Sequence, residues 1–321
     1  MTNYPTIYPT ITDLGGEITQ VRRFINLNDK GWSAFNPSIM LSNEGEYWLA
    51  VRSSNYALLT SGSMVLTAEN KIRNKLYLVR LDPDTWQFDE STLKEVDIKG
   101  LRAGIVRNIE DPRLFWDGQN YCISATFLEI DCPSPRMCKV TLKSLESAEA
   151  IKLEIYPSFT GKMEKNWMPI HRVGSQKDAE VDFIYKSDFV FSSGKITPVP
   201  APKVARYFRG GTQVIPVGDG TSIALTHELY YRKLPILNQT NFAPYQSFRH
   251  YTHNFVLFNS NFEIVKVSKS FVFAKEGIEF ASGIAEHNKN YVISFARSDL
   301  ASFVVTIDKK IALSLLEDAY V

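Results

Sequence analysis

Five times along this chain one short pattern recurs: a polar motif, an apolar strand, a tight turn, a second apolar strand, then another polar residue. The first copy opens on Asn36-Pro37-Ser38, turns between Ser42 and Glu46, and ends at Arg52. The second opens on Glu110-Asp111-Pro112-Arg113, turns at Asp117-Gly118-Gln119-Asn120, and ends near Glu129. The third runs from Lys165-Asn166-Trp167 through a turn near Gly174 and Ser175 to Lys186. The fourth runs from Arg209-Gly210-Gly211-Thr212 through Asp219-Gly220 to His227, and the fifth from Glu279 through Asn288-Lys289-Asn290 to Asp299. In an antiparallel hairpin the start of the first strand and the end of the second share one edge. Five such hairpins gather their polar motifs on one rim. Radial stacking of sheets of this kind is a β-propeller. The expected fold is therefore all-β, a five-bladed β-propeller forming one domain over residues 1–321, with inner hairpins near 36–52, 110–129, 165–186, 209–227 and 279–299.

The rest of the chain supplies outer strands. Segments 75–81, 137–142, 150–156 and 253–270 read as strands, the last a hairpin turning at Asn259-Ser260-Asn261, and helical periodicity is nearly absent. Five blades give about 64 residues each, above the ~40–45 of short-repeat propellers, so inserted loops are expected. Candidates are residues 56–73, 131–136 and 230–250, with Pro198 to Pro202 as a linker between blades and a short helix near 311–319. A formal net charge of +1 argues against nucleic acid or a membrane surface as partner. With no apolar run of about 18 residues, no membrane span is expected. The first twenty residues lack the basic-then-apolar order of a secretory leader. The cysteines Cys122, Cys132 and Cys138 are too few, and odd in number, for a disulfide framework. Together these place the chain in a reducing, cytoplasmic compartment.

The rim motifs carry the chemistry. Pro112 fixes its own φ and biases Asp111 toward an extended conformation, so that the carboxylate projects from the strand start as a general acid or base, with Arg113 to orient it. Alone, the motif reads better as a strand-start salt bridge; with four other polar rim motifs, the functional reading is favoured. Lys165, Asn166, Lys186, Arg209 and His227 form a largely basic set on blades three and four, suited to an anion and most simply a phosphate. The competing reading is an internal network pairing them with Glu164, Glu228 or Glu279. Gly210 and Gly211 beside Arg209 allow close approach by backbone or ligand. Asn36, Arg52 and Asp299 are hydrogen-bonding groups suited to sugar hydroxyls, and a closed ring makes their blades neighbours. Asp82-Pro83-Asp84 has the Asp-x-Asp form of metal-dependent nucleotide-sugar transferases but reads better as a turn. No histidine has a partner at metal spacing, and no glycine-rich phosphate loop is present.

Taken in order, Asn-Pro, Arg, Glu-Asp-Pro-Arg, Lys-Asn, His and a late Ser-Asp resemble the glycoside hydrolase family 130 mannoside phosphorylases and the related β-mannosyltransferases of glycosyltransferase family 108. The resemblance spans Asn36 to Asp299, and Ile109-Glu110-Asp111-Pro112-Arg113 is its most specific element. It implies a five-bladed propeller, with Asp111 as the general acid acting through a sugar hydroxyl. It implies that Asn36, Arg52 and Asp299 hold the sugar, and that Lys165, Asn166, Lys186, Arg209 and His227 hold phosphate; Arg113, beside Asp111, is taken as a further substrate-binding residue. Lys165 and Lys186 stand where the phosphorylases carry arginine, and a lysine cannot make the bidentate fork. In this the chain resembles a less characterised branch whose members look like glycosyltransferases.

The resulting expectation is an inverting glycoside phosphorylase or transferase acting on β-mannosides or related sugars. It would use phosphate or a sugar phosphate as substrate, with no metal and no cofactor. The alternatives are a GDP-mannose type transferase, whose base would be covered by residues 56–73 or 230–250 with Tyr230, Tyr231 and Arg232; an inverting hydrolase using Glu129, Glu228 or Glu279 as base; and a sugar-binding propeller without catalysis. The aromatic insertion Phe242-Ala243-Pro244-Tyr245 suits packing against a second copy of the chain, a homo-oligomer.

Overall fold

A computed structural model describes residues 8–21, 31–58, 64–67, 71–98, 106–129, 135–157, 164–172, 182–235 and 245–320. Five antiparallel sheets stand around a ring, each led by an inner strand that follows one of the rim motifs. Blade one orders Ser33–Leu41, Tyr47–Ser54, Asn74–Leu81 and Lys94–Glu95 from the centre outward. Blade two orders Val106–Trp116, Tyr121–Glu129, Arg136–Leu142 and Ala150–Ile155. Blade three is small, from Met168–Pro169 through Phe183–Tyr185 and Phe189–Ser192 to Lys195–Pro198. In blade four the interrupted inner strand Arg209–Gly210 and Ile215–Gly218 pairs with Thr221–Pro235, followed by Tyr245–Phe258 and Ile264–Ser268. Blade five holds Glu279–His287, Asn290–Arg297 and Ala301–Asp308.

The strands bury both faces because each blade packs between two others. Tyr47–Ser54 is buried at every position. The core correspondingly has a large cluster at each blade interface, with a smaller one of Phe35, Tyr56 and Ala296 between blades one and five. Trp48, Leu78, Ile123 and Val140 join blades one and two, and Phe115, Met137, Trp167 and Phe183 join two and three. Ile184, Phe208, Ala224 and Val256 join three and four. Leu225, Phe255, Ile284 and Phe295 join four and five. Ile39, Leu49, Val292 and Val304 join five back to one and close the ring.

Both ends of the chain are fastened into outer edges. Glu17–Gln20 pairs with Ala301–Asp308 as the outermost strand of blade five. Leu316–Asp318 pairs with Ile264–Ser268 on blade four. The helix expected near 311–319 covers Lys309–Ser314, capped by the Asp308 carboxylate accepting from the Lys310 N–H, and the chain then reverts to strand. Segment 230–250 is not a loop insertion. Its strands continue the ladder to the pair Pro235↔Tyr245, and only 236–244, which contains most of the Phe242-to-Tyr245 segment, lies outside the described residues. Segment 56–73 contains a small hairpin of Tyr56–Leu58 with Met64–Leu66. The turn expected near Gly174 and Ser175, and Cys132, also fall outside the described residues. No helix among the described residues is long and apolar enough to cross a membrane.

Near the axis the inner strands are stitched by side chains bonded to backbone. Gln213 of blade four donates to the carbonyls of Ile39 and Ile284 on blades one and five, at 2.7 and 2.6 Å. Ser282 and Ser294 of blade five donate to the Pro37 carbonyl, and Ser38 accepts from the Leu114 N–H of blade two. Buried polar groups need such partners, and here meeting that need locks neighbouring blades together.

Candidate active site

The rim motifs leave the regular ladder where they meet the axis. Register shifts fall between Phe35 and Ser38, between Glu110 and Arg113, and between Ala281 and Gly283, so blades one, two and five each carry a bulge at the same level. Asn36, Asp111, Asn166, Lys186 and Asp299 all have left-handed backbone, with φ between 50° and 63°. Such residues cost of order 1–3 kcal/mol where the surroundings enforce them, and they cluster where side chains must be aimed. Asp111 is therefore not extended, as the following proline led one to expect. The bulge rotates its carboxylate out of the ladder, and Asp, like Asn, tolerates the left-handed region better than other residues.

A cavity of about 380 Å³ opens on this rim, within the size range of small-molecule sites. Asn36, Arg52, Asp111, Lys165, Asn166, Arg209, His227 and Asp299 all line it. Arg113 does not. It is fully buried beneath, donating from Nε to the Gly211 carbonyl at 2.6 Å, from Nη1 to the Asp111 carbonyl and from Nη2 to Asn166 Oδ1. It ties blades two, three and four together under the site. Lys186 also lies outside the lining, exposed, with its ammonium 5.1 Å from the centre of the Tyr185 ring.

Asp111 Oδ1 receives Asn36 Nδ2 at 2.7 Å and Arg52 Nη1 at 2.9 Å. Burial raises its pKa, but Arg52, Lys165, the Asn36 hydrogen bond and Arg113 together outweigh it and hold the carboxyl below its ordinary value. Arg52 divides its fork, sending Nη2 to Glu110 at 3.2 Å and Nε to Asn74, above the Phe35 ring. Burial works against its charge, but Glu110 and Asp111 hold it firmly protonated. Glu110 also takes Lys165 Nζ at 3.1 Å. Asp299 contrasts with Asp111. Its direct partner is the Tyr56 hydroxyl, at 2.9 Å, and burial with the negative Asp111 and Glu110 nearby pushes it up to about 6 despite Arg52. Asn36 Oδ1 is buried without a protein partner among the described residues.

The far wall belongs to blade four. His227 stands edge-on to Tyr251 and Phe280, and burial, with His253, Arg209 and Arg113 nearby, holds it neutral. Its Nδ1 has no protein partner among the described residues. Arg209 pairs in register with His227. Arg249, from the neighbouring strand, also lines the cavity. Among the described residues neither arginine is engaged by a carboxylate, whereas Arg52 and Lys165 both are. Tyr56, Met64, Ile72 and Ile278 complete an apolar side.

Sequence reasoning missed Glu110 as a site residue although it stands in the sharpest motif, and missed Tyr56, Arg249, Tyr251 and Phe280. The strand alternation of Arg249, Tyr251 and His253 was the available signal for two of them. Gly210 and Gly211 serve backbone approach: a Cβ on Gly210 would lie 2.0 Å from the Asn166 carbonyl oxygen. Of the proposed hydrolytic bases, Glu279 accepts from the N–H groups of Phe273, Ala274 and Lys275, and neither it nor Glu228 lines the cavity. The Glu129 side chain lies outside what is described. Asp82-Pro83-Asp84 is a turn, with the Asp84 N–H bonded to the Asp82 carboxylate.

No protein-family model and no curated protein sequence matches the chain. Its fold does match solved structures. The β-1,2-mannobiose phosphorylase of Listeria innocua, solved with β-1,2-mannobiose, superposes with a TM-score of 0.58 at 13% identity, over 93% of this chain and 99% of that one. A mannose phosphorylase of Leishmania mexicana, solved with phosphate, gives 0.54 at 12% identity over 99% and 92%. A GDP-Man-dependent mannosyltransferase of the same organism gives 0.56 at 12% identity over 95% and 94%. At these identities the likeness establishes what is common to all of them, the five-bladed propeller and its full-length blade order.

Proposed function

We propose that the protein is an enzyme of inverting glycosyl transfer, moving a β-mannosyl or similar hexosyl unit between a phosphate and an acceptor hydroxyl. The observation that carries this reading is one cavity with two poles: Asp111, gripped by Arg52 and Asn36, on blades one and two, and Arg209 with His227 on blade four. Asn36 and Asp299 offer hydrogen bonds to the sugar between them.

The chemistry follows from the protonation states. Asp111 is ionised in the free protein, because Arg52, Lys165 and Asn36 overcome its burial. It accepts the acceptor's hydroxyl proton as that oxygen bonds to C1. The C1–O bond to phosphate breaks on the opposite face, and the phosphate leaves with the electron pair toward Arg209 and His227. In reverse, phosphate attacks C1, and protonated Asp111 returns the proton to the departing sugar oxygen. Phosphate thereby takes the place of the water and base of inverting hydrolysis. Protein cations carry the phosphate charge, and neutral His227 contributes a hydrogen bond without a second charge. The mannoside ligands and substrates of the similar folds support the sugar class.

Phosphate release from mannose 1-phosphate with a panel of acceptor sugars tests the reading, with GDP-mannose run in parallel. Turnover that needs an acceptor and falls by roughly 10²–10⁴ in Asp111→Asn supports it. Turnover indifferent to Asp111 would sink it.

A further inference from the structure

One side of the cavity carries almost no hydrogen-bonding groups. After Tyr47–Ser54 of blade one the chain forms the small hairpin of Tyr56–Leu58 with Met64–Leu66. Residues directly opposite in a hairpin share a face, and side chains alternate along a strand. Tyr56 and Met64 line the cavity, so Leu66, opposite Tyr56 and two residues from Met64, stands on the cavity face as well. Val65 stands on the other face. Ile72 packs beside Phe35 and Tyr56 at the foot of the hairpin. Ile278, whose carbonyl accepts from the Ser298 N–H at 2.7 Å, continues the apolar surface past Asp299. Met64 and Leu66 remain 49% and 40% exposed. The foot itself is tied down. The carbonyl of buried Asn55 accepts from the Thr67 N–H at 2.9 Å, and its side chain bonds the Lys71 carbonyl and the Arg73 N–H. The wall is therefore built before anything binds to it.

Apolar side chains held open beside a polar cavity mark the place of an apolar group on a ligand. Position decides which ligand. In the reaction proposed above, phosphate departs toward Arg209 and His227 on blade four. In a ring of five, blade four faces the gap between blades one and two. The hairpin rises from the blade-one strand whose Arg52 donates to Asp111 at 2.9 Å, and the Arg52 guanidinium lies 5.6 Å from the centre of the Tyr56 ring. It stands on the side from which an acceptor hydroxyl reaches Asp111. The one hydroxyl on this wall, that of Tyr56, is given to Asp299. Met64, Leu66 and Ile72 offer no hydrogen-bond donor, so a second sugar lying there would leave its hydroxyls unpaired. Flexible aliphatic side chains, methionine above all, mould to an alkyl chain.

We propose that Tyr56, Met64, Leu66 and Ile72 form an acceptor-side subsite for an alkyl aglycone, so that the preferred acceptor is a sugar linked to an aliphatic chain. The inference rests on the glycosyl-transfer reading for its orientation, but its test does not need turnover. Binding of methyl, butyl and octyl β-mannosides and of mannobiose is measured by calorimetry on the full chain. The double variant Met64→Gln with Leu66→Gln, and the single variants Met64→Leu and Val65→Gln, are measured alongside.

Affinity should rise along the alkyl series, octyl binding about ten-fold or more tighter than methyl, since burial of about two methylenes has that worth. The double variant should bring the octyl and methyl affinities together. Met64→Leu should retain the difference, and Val65→Gln, on the outer face, should leave it as it is. Equal affinities along the series, or a double variant that keeps the octyl advantage, would overturn the subsite. So would mannobiose binding tighter than octyl mannoside, because the wall would then serve a second sugar. Asp111-dependent phosphate release from mannose 1-phosphate that is blind to acceptor chain length removes the subsite and keeps the transfer reading. Chain-length-dependent binding that the double variant loses, with no transfer from any donor, does the reverse.

Discussion

Asp111 and Asp299 face one cavity, yet their surroundings push them apart. Asp111 is bonded directly to a guanidinium and an amide, while Asp299 has a neutral phenol and sees two negative neighbours. Pairs of carboxyls driven in opposite directions mark sites of acid–base chemistry. The same shifts act on stability. Asp299, at about 6, and Glu279, raised by burial to about 7, bind protons in the native state at pH values where the unfolded chain has released them. Their stabilisation is complete below about pH 4 and is lost as pH rises through 6 and 7. Asp111, held low, contributes in the other direction only below its ordinary value. The melting temperature should therefore fall as pH rises from 5 to 8, and Glu279→Gln should flatten that slope. A melting temperature that rises over this range in the parent protein would contradict the assignment. Asp111 was legible in the sequence because a carboxylate beside proline at a strand start is rare and ordered with other rim motifs. Glu110 was not, because its work is to engage Arg52 and Lys165, and pairing across blades leaves no trace in local sequence.

The strands and turns were the most legible elements, because period-two patterning and Asx-Gly turns act within a few residues. The long hairpin of blade four was read as a loop because a ladder projecting from the body has no continuous apolar face to show. The bulges escaped for a different reason: they are set by contact between blades. Asn36 before Pro37 and Asp111 before Pro112 share both left-handed backbone and register shift, so an Asn/Asp-Pro pair at successive blade starts is the sequence mark of this element. Gly210 shows what such contact demands. Its missing side chain lets the Asn166 carbonyl approach, and Asn166 in turn accepts from Arg113. Gly210→Ala must displace backbone and not a flexible side chain. It should cost about 1–3 kcal/mol and reduce turnover out of proportion to the lost stability, since the displaced segment leading into Met168–Pro169 carries Lys165 and Asn166. Chemical denaturation and initial rates measured on the same preparation separate the two effects. Unchanged rates would show that Asn166 tolerates the shift.

For the whole molecule the problem is closure. Five interface clusters support one another only if the fifth blade meets the first, and no short-range pattern encodes that meeting. The count of five came from the repeats. The fastening strand Glu17–Gln20 was not legible, because four half-exposed residues give no usable periodicity. Its position nevertheless decides how the ring is held. It pairs with the outer edge of blade five, Ile11 just before it is fully buried against blades four and five, and Val21 just after it is buried against blades one and five. The segment thus acts as a clasp beside the interface that carries Asp299 on one side and Asn36 on the other. Removing residues 1–20 deletes a buried isoleucine and four ladder pairs, a loss of about 2–5 kcal/mol. The site should suffer before the fold does. Loosening blade five against blade one separates Asp299 from Tyr56 and Asn36 from its stitched backbone, while Arg209 and His227 on blade four keep their own ladder pair. The truncated protein should therefore melt at a lower temperature and lose sugar affinity while keeping most of its affinity for phosphate or pyrophosphate. Equal loss of both affinities would mean that the ring opens as a unit and that the two poles of the cavity are not held independently.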